Sequence, residues 1–392
     1  MNVESRQATG VAIAGLIALA ACMGIGRFVY TPVLPFMEEA LGLTKPQAGV
    51  IASVNFLGYL LGALVAASPV LPGSRRFWLL VALGASALTT AAMGLASSMA
   101  LFLGLRFIGG VASAFTLVFA STLVLDRLAV AGRPALSAIH FAGVGVGIAV
   151  SAVLVSGLSA GGADWQVQWI VSGVIALGGL AIVAWLIPDE PPTVRSAAAP
   201  RDAAVDRRLT ALILAYGLFG FGYVITATFV LTMVRTEPEL RVIEPVVWLI
   251  VGLAAIPSIA LWTWVGRRWG NDRGFAMACI IEAVGVALSV LTTNALVVAI
   301  GAALLGGTFM GITALGFTFA RDLTAGDPRR SLALMTAAFG LGQMIGPTFA
   351  GLTFQFGDSF LLSSLVATFA LLVAAGLVFN IRAHGGASAR GS

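Results

Sequence analysis

Charge is what this sequence has least of. Only 10% of its 392 residues are Asp, Glu, Lys or Arg and 59% are hydrophobic, whereas a soluble domain carries roughly a quarter charged residues. The composition therefore places the chain in a membrane. Lysine occurs once, as Lys45 in "LTKPQ". A phosphate-binding P-loop needs Gly-Lys-Ser/Thr, so an ATP-driven pump of that type is excluded. Cysteine occurs twice, as Cys22 and Cys279, each inside an apolar run. That spacing excludes a disulfide framework and a C-x-x-C metal pattern. Of two histidines, His384 lies in the C-terminal tail and reads as solvated, leaving His140 within a helix. One helix histidine cannot build a metal centre, and neither metal nor cofactor is expected. G-x-S-x-G, H-E-x-x-H and paired helix carboxylates are missing too, which argues against an intramembrane enzyme. The net charge of +5 would suggest nucleic acid in a soluble protein. Here its distribution reports topology, and no nucleic-acid partner is expected.

Apolar length is what the chain has. About 20 apolar residues cross the hydrocarbon of a bilayer, and that ruler gives twelve helices: 10–36, 47–69, 77–97, 99–125, 135–158, 167–187, 209–234, 245–265, 275–293, 295–320, 332–355 and 359–381. The runs do not alternate, so a β-barrel is excluded and an all-α membrane protein is expected. "LAAC", Leu19 to Cys22, resembles a lipoprotein processing site, but the apolar run continues past the cysteine, so the first run reads as a retained helix.

Alternating the loops puts seventeen basic residues on one face and three, Lys45, Arg235 and Arg241, on the other. The positive-inside rule then places both termini in the cytoplasm of a bacterial inner membrane. Residues 188–208, rich in Pro, Arg and Ala, read as a cytoplasmic linker between a bundle at 1–187 and one at 209–392. The halves echo each other. "GIGRFVYT" at 24–31 returns as "GFGYVITA" at 220–227, and "LDRLAVAGRP" at 125–134 as "ARDLTAGDPRR" at 320–330. Such repeats are typical of secondary transporters, whose site lies between the halves.

"GIGRFVYTPVLPFM", "IASVNFLGYLLGAL", "AIHFAGVGVGIAVS", "LLGGTFMGITALGF" and "ALMTAAFGLGQMIGP" together resemble the major facilitator superfamily, and more narrowly its YbfB/YjiJ-type branch. "RFIGGVASA", Arg106 to Ala114, is similar to the superfamily's Arg-x-x-x-Gly-x-x-x-Ala pattern in the fourth helix. The resemblance implies twelve transmembrane helices in two six-helix bundles. Helices one, four, seven and ten would line a central cavity, with three, six, nine and twelve facing lipid. It also implies a small-molecule substrate and alternating access, by a monomer in the bilayer. The superfamily's loop after the second helix carries Gly-x-x-x-Asp-Arg-x-Gly-Arg-Arg. Here "SPVLPGSRRF" keeps Gly73, Arg75 and Arg76 without the aspartate, while "GRRWGNDRG" in the second half has Asp272.

Three charges interrupt the helices: Arg27, Arg106 and Glu282. Each costs at least about 2.5–3.5 kcal/mol near the bilayer centre. Arg27 either snorkels or, with Gly24, Gly26 and Tyr30, faces a cavity. Arg106 either bonds carbonyls of the first helix or helps bind substrate. Two guanidiniums in one half would suit a small organic anion or the acid end of a zwitterion. Glu282 is either a neutral packed carboxyl or a proton carrier. His140 is either a packing residue or a proton-coupling group. Asn55, Tyr59, Tyr223, Thr226, Thr313 and Gln343 are the polar residues that could complete a substrate site, with Tyr223 at the repeat position of Arg27. Gly143/Gly147 and Gly342/Gly346, with Pro347, give flat or bendable surfaces suited to gating at the half-to-half interface. Arg75, Arg76 and Asp272 are candidate gating charges. An efflux antiporter is the alternative within the class; a transporter-like sensor would need an output domain for which the short linker and termini leave no room.

Overall fold

The computed structural model describes residues 3–68, 71–187, 207–324 and 329–383, and every regular element among them is helical. The first span has three pieces: α1 (Val3–Leu19), a π-helical stretch (Ala20–Arg27) and α2 (Tyr30–Leu41). The first half continues with α3 (Lys45–Ala66), α4 (Arg75–Met93), α5 (Met99–Val130), α6 (Ser137–Ala160) and α7 (Trp165–Leu186). The second half holds α8 (Arg207–Thr236), α9 (Glu244–Trp269) and α10 (Asn271–Leu288). It ends with α11 (Ala295–Leu323), α12 (Arg329–Phe354) and α13 (Leu361–Ala383). Eleven of the twelve apolar runs read from the sequence are single helices within about five residues of their expected bounds, while the first, 10–36, is broken into three pieces that run from Val3 to Leu41. Among the described residues, eleven spans are long and apolar enough to cross a bilayer; α10, which carries Asp272, Arg273 and Glu282, is one further helix. Residues 188–206 of the expected linker and His384 lie outside the described residues.

The helices start where the sequence supplies caps. Thr44 and Gln47 form a reciprocal capping box ahead of α3, and Ser74, Ser98, Asp164 and Asn294 accept from first-turn amides of α4, α5, α7 and α11. Such caps satisfy amides that otherwise lack helical acceptors. Large apolar side chains cover the outside, including Leu88, Leu95, Trp185 and Phe369. That surface suits hydrocarbon rather than water.

Within the first half, α1 packs on α5 and α6, α3 on α5, and α4 on α5 and α7. In the second half α8 packs on α12 and α13, α9 on α11, and α10 on α11 and α13. The halves meet along three seams, α3 with α12, α6 with α9 and α2 with α8. Backbones come close there: a Cβ on Gly49 would lie 2.2 Å from the Pro347 carbonyl oxygen, and one on Gly145 2.7 Å from the Ile256 amide nitrogen. Small residues permit such approach between helices.

The sequence reading placed different glycines at this interface. Gly143 and Gly147 instead face Leu16, Ala20 and Gly24 of the first span, and Gly342 and Gly346 face Gly217, Phe221 and Val224 of α8. Both pairs thus pack inside their own halves. On α6 the seam falls to Gly145, two residues from each predicted glycine and so on the other side of the helix. Pro347, inside α12, does lie on the seam.

Candidate functional site

The irregular first span builds the centre of the molecule. Its π-helical turn widens the backbone over "AACMGIGR", and Phe28 N–H donates back to the Met23 carbonyl. Gly24 abuts the Gly147 backbone too closely for a side chain, and Gly26 faces the Ser86 hydroxyl. After the break, Thr31 N–H donates to Phe28 O rather than to Arg27 O, and Pro32 has no N–H to give. Arg106 on α5 supplies the missing donors, Nη1 to Gly26 O at 3.3 Å and Nη2 to Arg27 O at 3.2 Å. Asn55 Nδ2 donates to the Arg106 carbonyl at 2.8 Å. Arg106 also lies over the Tyr30 ring at 5.0 Å, and Tyr30 donates its hydroxyl proton to the Ala48 carbonyl at 2.8 Å. Arg106, Asn55 and Tyr30 therefore hold the break in the first span.

Arg27 is placed differently. It is 4% exposed, and its Nε and Nη2 lack a hydrogen-bond partner among the described residues. Its guanidinium carbon lies 4.4 Å from the Tyr59 ring centroid, 4.6 Å from that of Phe56 and 5.5 Å from that of Phe28. Aromatic faces offset part of the burial cost of a cation, but two of its donors have no acceptor.

Across the seam the second half presents rings. Tyr223 on α8 lies nearly parallel to Phe309 of α11 and Phe339 of α12, with centroids at 5.7 and 5.8 Å. Phe28 bridges the halves by touching Phe309 and Trp248. Gln343 donates to the Tyr223 hydroxyl. Thr226 is buried with its hydroxyl unpartnered among the described residues, whereas Thr313 donates to its own helix at the Phe309 carbonyl. Of the predicted substrate residues, Arg27, Tyr59, Tyr223 and Gln343 thus gather in and around one aromatic centre. Phe28, Phe56, Phe309, Phe339 and Trp248 were not anticipated. Helical spacing of Tyr216, Phe219 and Tyr223 was the available signal for an aromatic stripe on α8.

The remaining candidates sit apart. His140 is fully buried, with Nε2 3.1 Å from Ser121 Oγ and its ring filling the space that Gly15 leaves. Glu282 is fully buried in α10, and both its carboxyl oxygens lack hydrogen-bond partners among the described residues. The lipid-facing position implied for its helix does not apply to this side chain. Arg75 pairs with Asp126 of α5 at 2.6 Å, so α5 provides the acid that the preceding loop lacks. Arg76 donates to the Ile187 and Ala184 carbonyls of the α7 end. Asp272 lies beside Gly270, whose φ of +98° suits glycine.

At the Lys45 end the seam between α2 and α8 is polar. Thr31 donates to the Ala227 carbonyl at 2.7 Å, and Arg235 pairs with Glu39 at 2.9 Å. Beside them lies a cavity of about 340 Å³ between α2, α6, α8 and α9, lined by Pro32, Phe36, Ser156, Leu231, Arg235 and Trp248 among others.

Comparison with solved structures places this architecture. A variant of the nucleoside transporter NupG superposes with a TM-score of 0.75 at 15% identity, covering 95% of this chain and 99% of that one. A bacterial homologue of the human lysosomal transporter Spinster, inward-facing and occupied, gives 0.73 at 17%, covering 97% and 98%. At such identities the likeness shows the fold. No curated protein matches the sequence significantly. The profile of the family described as "Uncharacterised MFS-type transporter YbfB" matches residues 19–379. The chain belongs to this family, as a multi-pass membrane protein with the major facilitator fold of a secondary transporter rather than an enzyme.

Proposed function

We propose that the protein carries a small organic anion, or a zwitterion by its acid end, through alternating access, with Arg27 as the anion-binding residue. The observation behind this reading is the buried Arg27 guanidinium with two donors left open. A guanidinium fork matches a carboxylate in geometry and charge. The Lys45 end would face the outside of a bacterial inner membrane, both termini the cytoplasm, and the carrier would act as a monomer. Protons would drive it, with His140 and Glu282 the buried titratable side chains considered for coupling. Export of drugs or metabolites by the same antiport chemistry is the alternative direction. The seam glycines Gly49 and Gly145, with Pro347, Arg75, Arg76 and Asp272, would serve the rocking of the halves.

A second reading has its own support. The parallel Tyr223, Phe309 and Phe339 rings would suit a planar, uncharged solute such as the nucleosides named for NupG. Uptake into proteoliposomes separates the two, using benzoate, tryptophan, tryptamine and uridine as probes under an imposed pH gradient. For the anion reading, Arg27→Gln lowers benzoate or tryptophan uptake by at least about tenfold, since hydrogen bonds to charged groups contribute about 1.5–3 kcal/mol. Uptake of uridine alone, unaltered by Arg27→Gln, would overturn it.

A further inference from the structure

The polar seam holds one carboxylate unlike its neighbours. Glu38, in the last turn of α2, has a side chain only 10% exposed, while that of Glu39 is 72% exposed. Glu38 Oε2 accepts from Lys45 Nζ at 2.8 Å and from Thr232 Oγ1 of α8 at 3.2 Å. Its Oε1 is buried and has no hydrogen-bond partner among the described residues. Lys45 also lies over the Phe354 ring of α12 at 5.7 Å. The acid and the base both belong to the first half, and each touches the second. The other charged or titratable groups around Glu38 are Arg235 from α8 and Tyr30 from α2 itself. Glu244 of α9 and Glu39 stand behind Arg235.

We propose that Glu38 is a proton-binding site whose occupancy decides whether the halves stay joined at the Lys45 end. Exposed chain from Glu39 to Gly42 brings water to the next residue along. A hydronium ion in that water gives its proton to Oε1: one hydronium O–H bond breaks, the carboxyl O–H bond forms, and a water molecule is left. Charge-assisted bonds are about twice as strong as neutral ones, so the neutral carboxyl holds Lys45 and Thr232 less firmly. Lys45, still an ammonium, then lacks its counter-charge at a partly buried seam and is stabilised by turning to water. Its contact with Phe354 goes with it. The inference rests on reading the chain as an alternating-access carrier, and it assigns proton coupling to a carboxylate at the gate itself.

Spin labels on Ala40→Cys and Glu237→Cys, exposed on either side of the seam, report its width in the full-length protein in liposomes without any substrate. The two native thiols, Cys22 and Cys279, are buried. Acidification is expected to raise the long-distance population severalfold in the parent. Glu38→Gln, a mimic of the protonated acid, should hold that population high at every pH, while Glu239→Gln, at an exposed acid near the label, keeps the parent's response. Thr232→Val, which removes only the bond from α8, should raise the long-distance population at alkaline pH. A parent distance that ignores pH, a Glu38→Gln protein that responds as the parent does, or an unmoved Thr232→Val population would each overturn the proposal. Because no solute is involved, these results stand apart from whether any probe is transported.

Discussion

Arg27 and Arg106 are alike in the sequence, and burial alone does not separate them. Their donors do. Arg106 spends two on carbonyls that the broken first span leaves over, so it positions backbone. Arg27 keeps two open. Conservative changes should therefore have opposite signatures. Arg106→Lys replaces a planar fork with a point charge and should lower stability by about 1–3 kcal/mol for each carbonyl left unsatisfied, read as a fall in thermal unfolding temperature in detergent. Arg27→Lys should leave that temperature unchanged and raise KM for the transported acid. Gly15→Ala belongs with Arg106: its Cβ would meet His140 Nδ1 at 2.3 Å, and overpacking of this kind costs about 1–3 kcal/mol. Composition made the buried charges conspicuous, but their partners are backbone carbonyls and aromatic faces, which leave no local signature. The two roles considered for Arg106 could be told apart only with its acceptors in view.

Helix bounds were legible because apolar length, caps and prolines act locally. The π-helical turn was not. It is a change of hydrogen-bond register over eight residues of ordinary composition, within which Gly24 and Gly26 pack against α6 and α4. The seam glycines show the same limit from another side. Four-residue spacing correctly signals a flat helix face, yet nothing in it says which neighbour that face meets. Gly145→Val tests the assignment, since its Cβ would press on the Ile256 amide and the Gly252 carbonyl, backbone atoms that cannot rotate away. Uptake should fall by at least about tenfold, equivalent to about 1.4 kcal/mol, with the protein still monodisperse. Gly104→Ala, which meets open space, should behave as the parent.

The whole molecule carries a repeat in which "GIGRFVYT" and "GFGYVITA" stand 196 residues apart, and that much the sequence showed. The structure gives the spacing a physical meaning. Thr31 bonds to Ala227 and Glu39 to Arg235, and each pair is separated by the same 196 residues. Arg75–Asp126 in one half likewise corresponds to Asn271–Asp322 in the other, each with partners 51 positions apart. The pairing across the seam was hidden because repeat mates there differ chemically: a hydroxyl meets a carbonyl, an acid meets a base. Joining the halves at this point should stop the cycle. Thr31→Cys with Ala227→Cys should abolish uptake when oxidised and regain it on reduction, while either single change stays active; undiminished uptake by the oxidised pair would count against rocking about the centre.

A residue that touches its own repeat mate must lie beside the axis relating the two halves, with its mate on the other side. Motion that treats the halves alike carries such partners apart equally, straight away from that axis. The gap between Thr31 and Ala227 is therefore a gauge of the entire movement, and one distance measured there would follow a twelve-helix rearrangement.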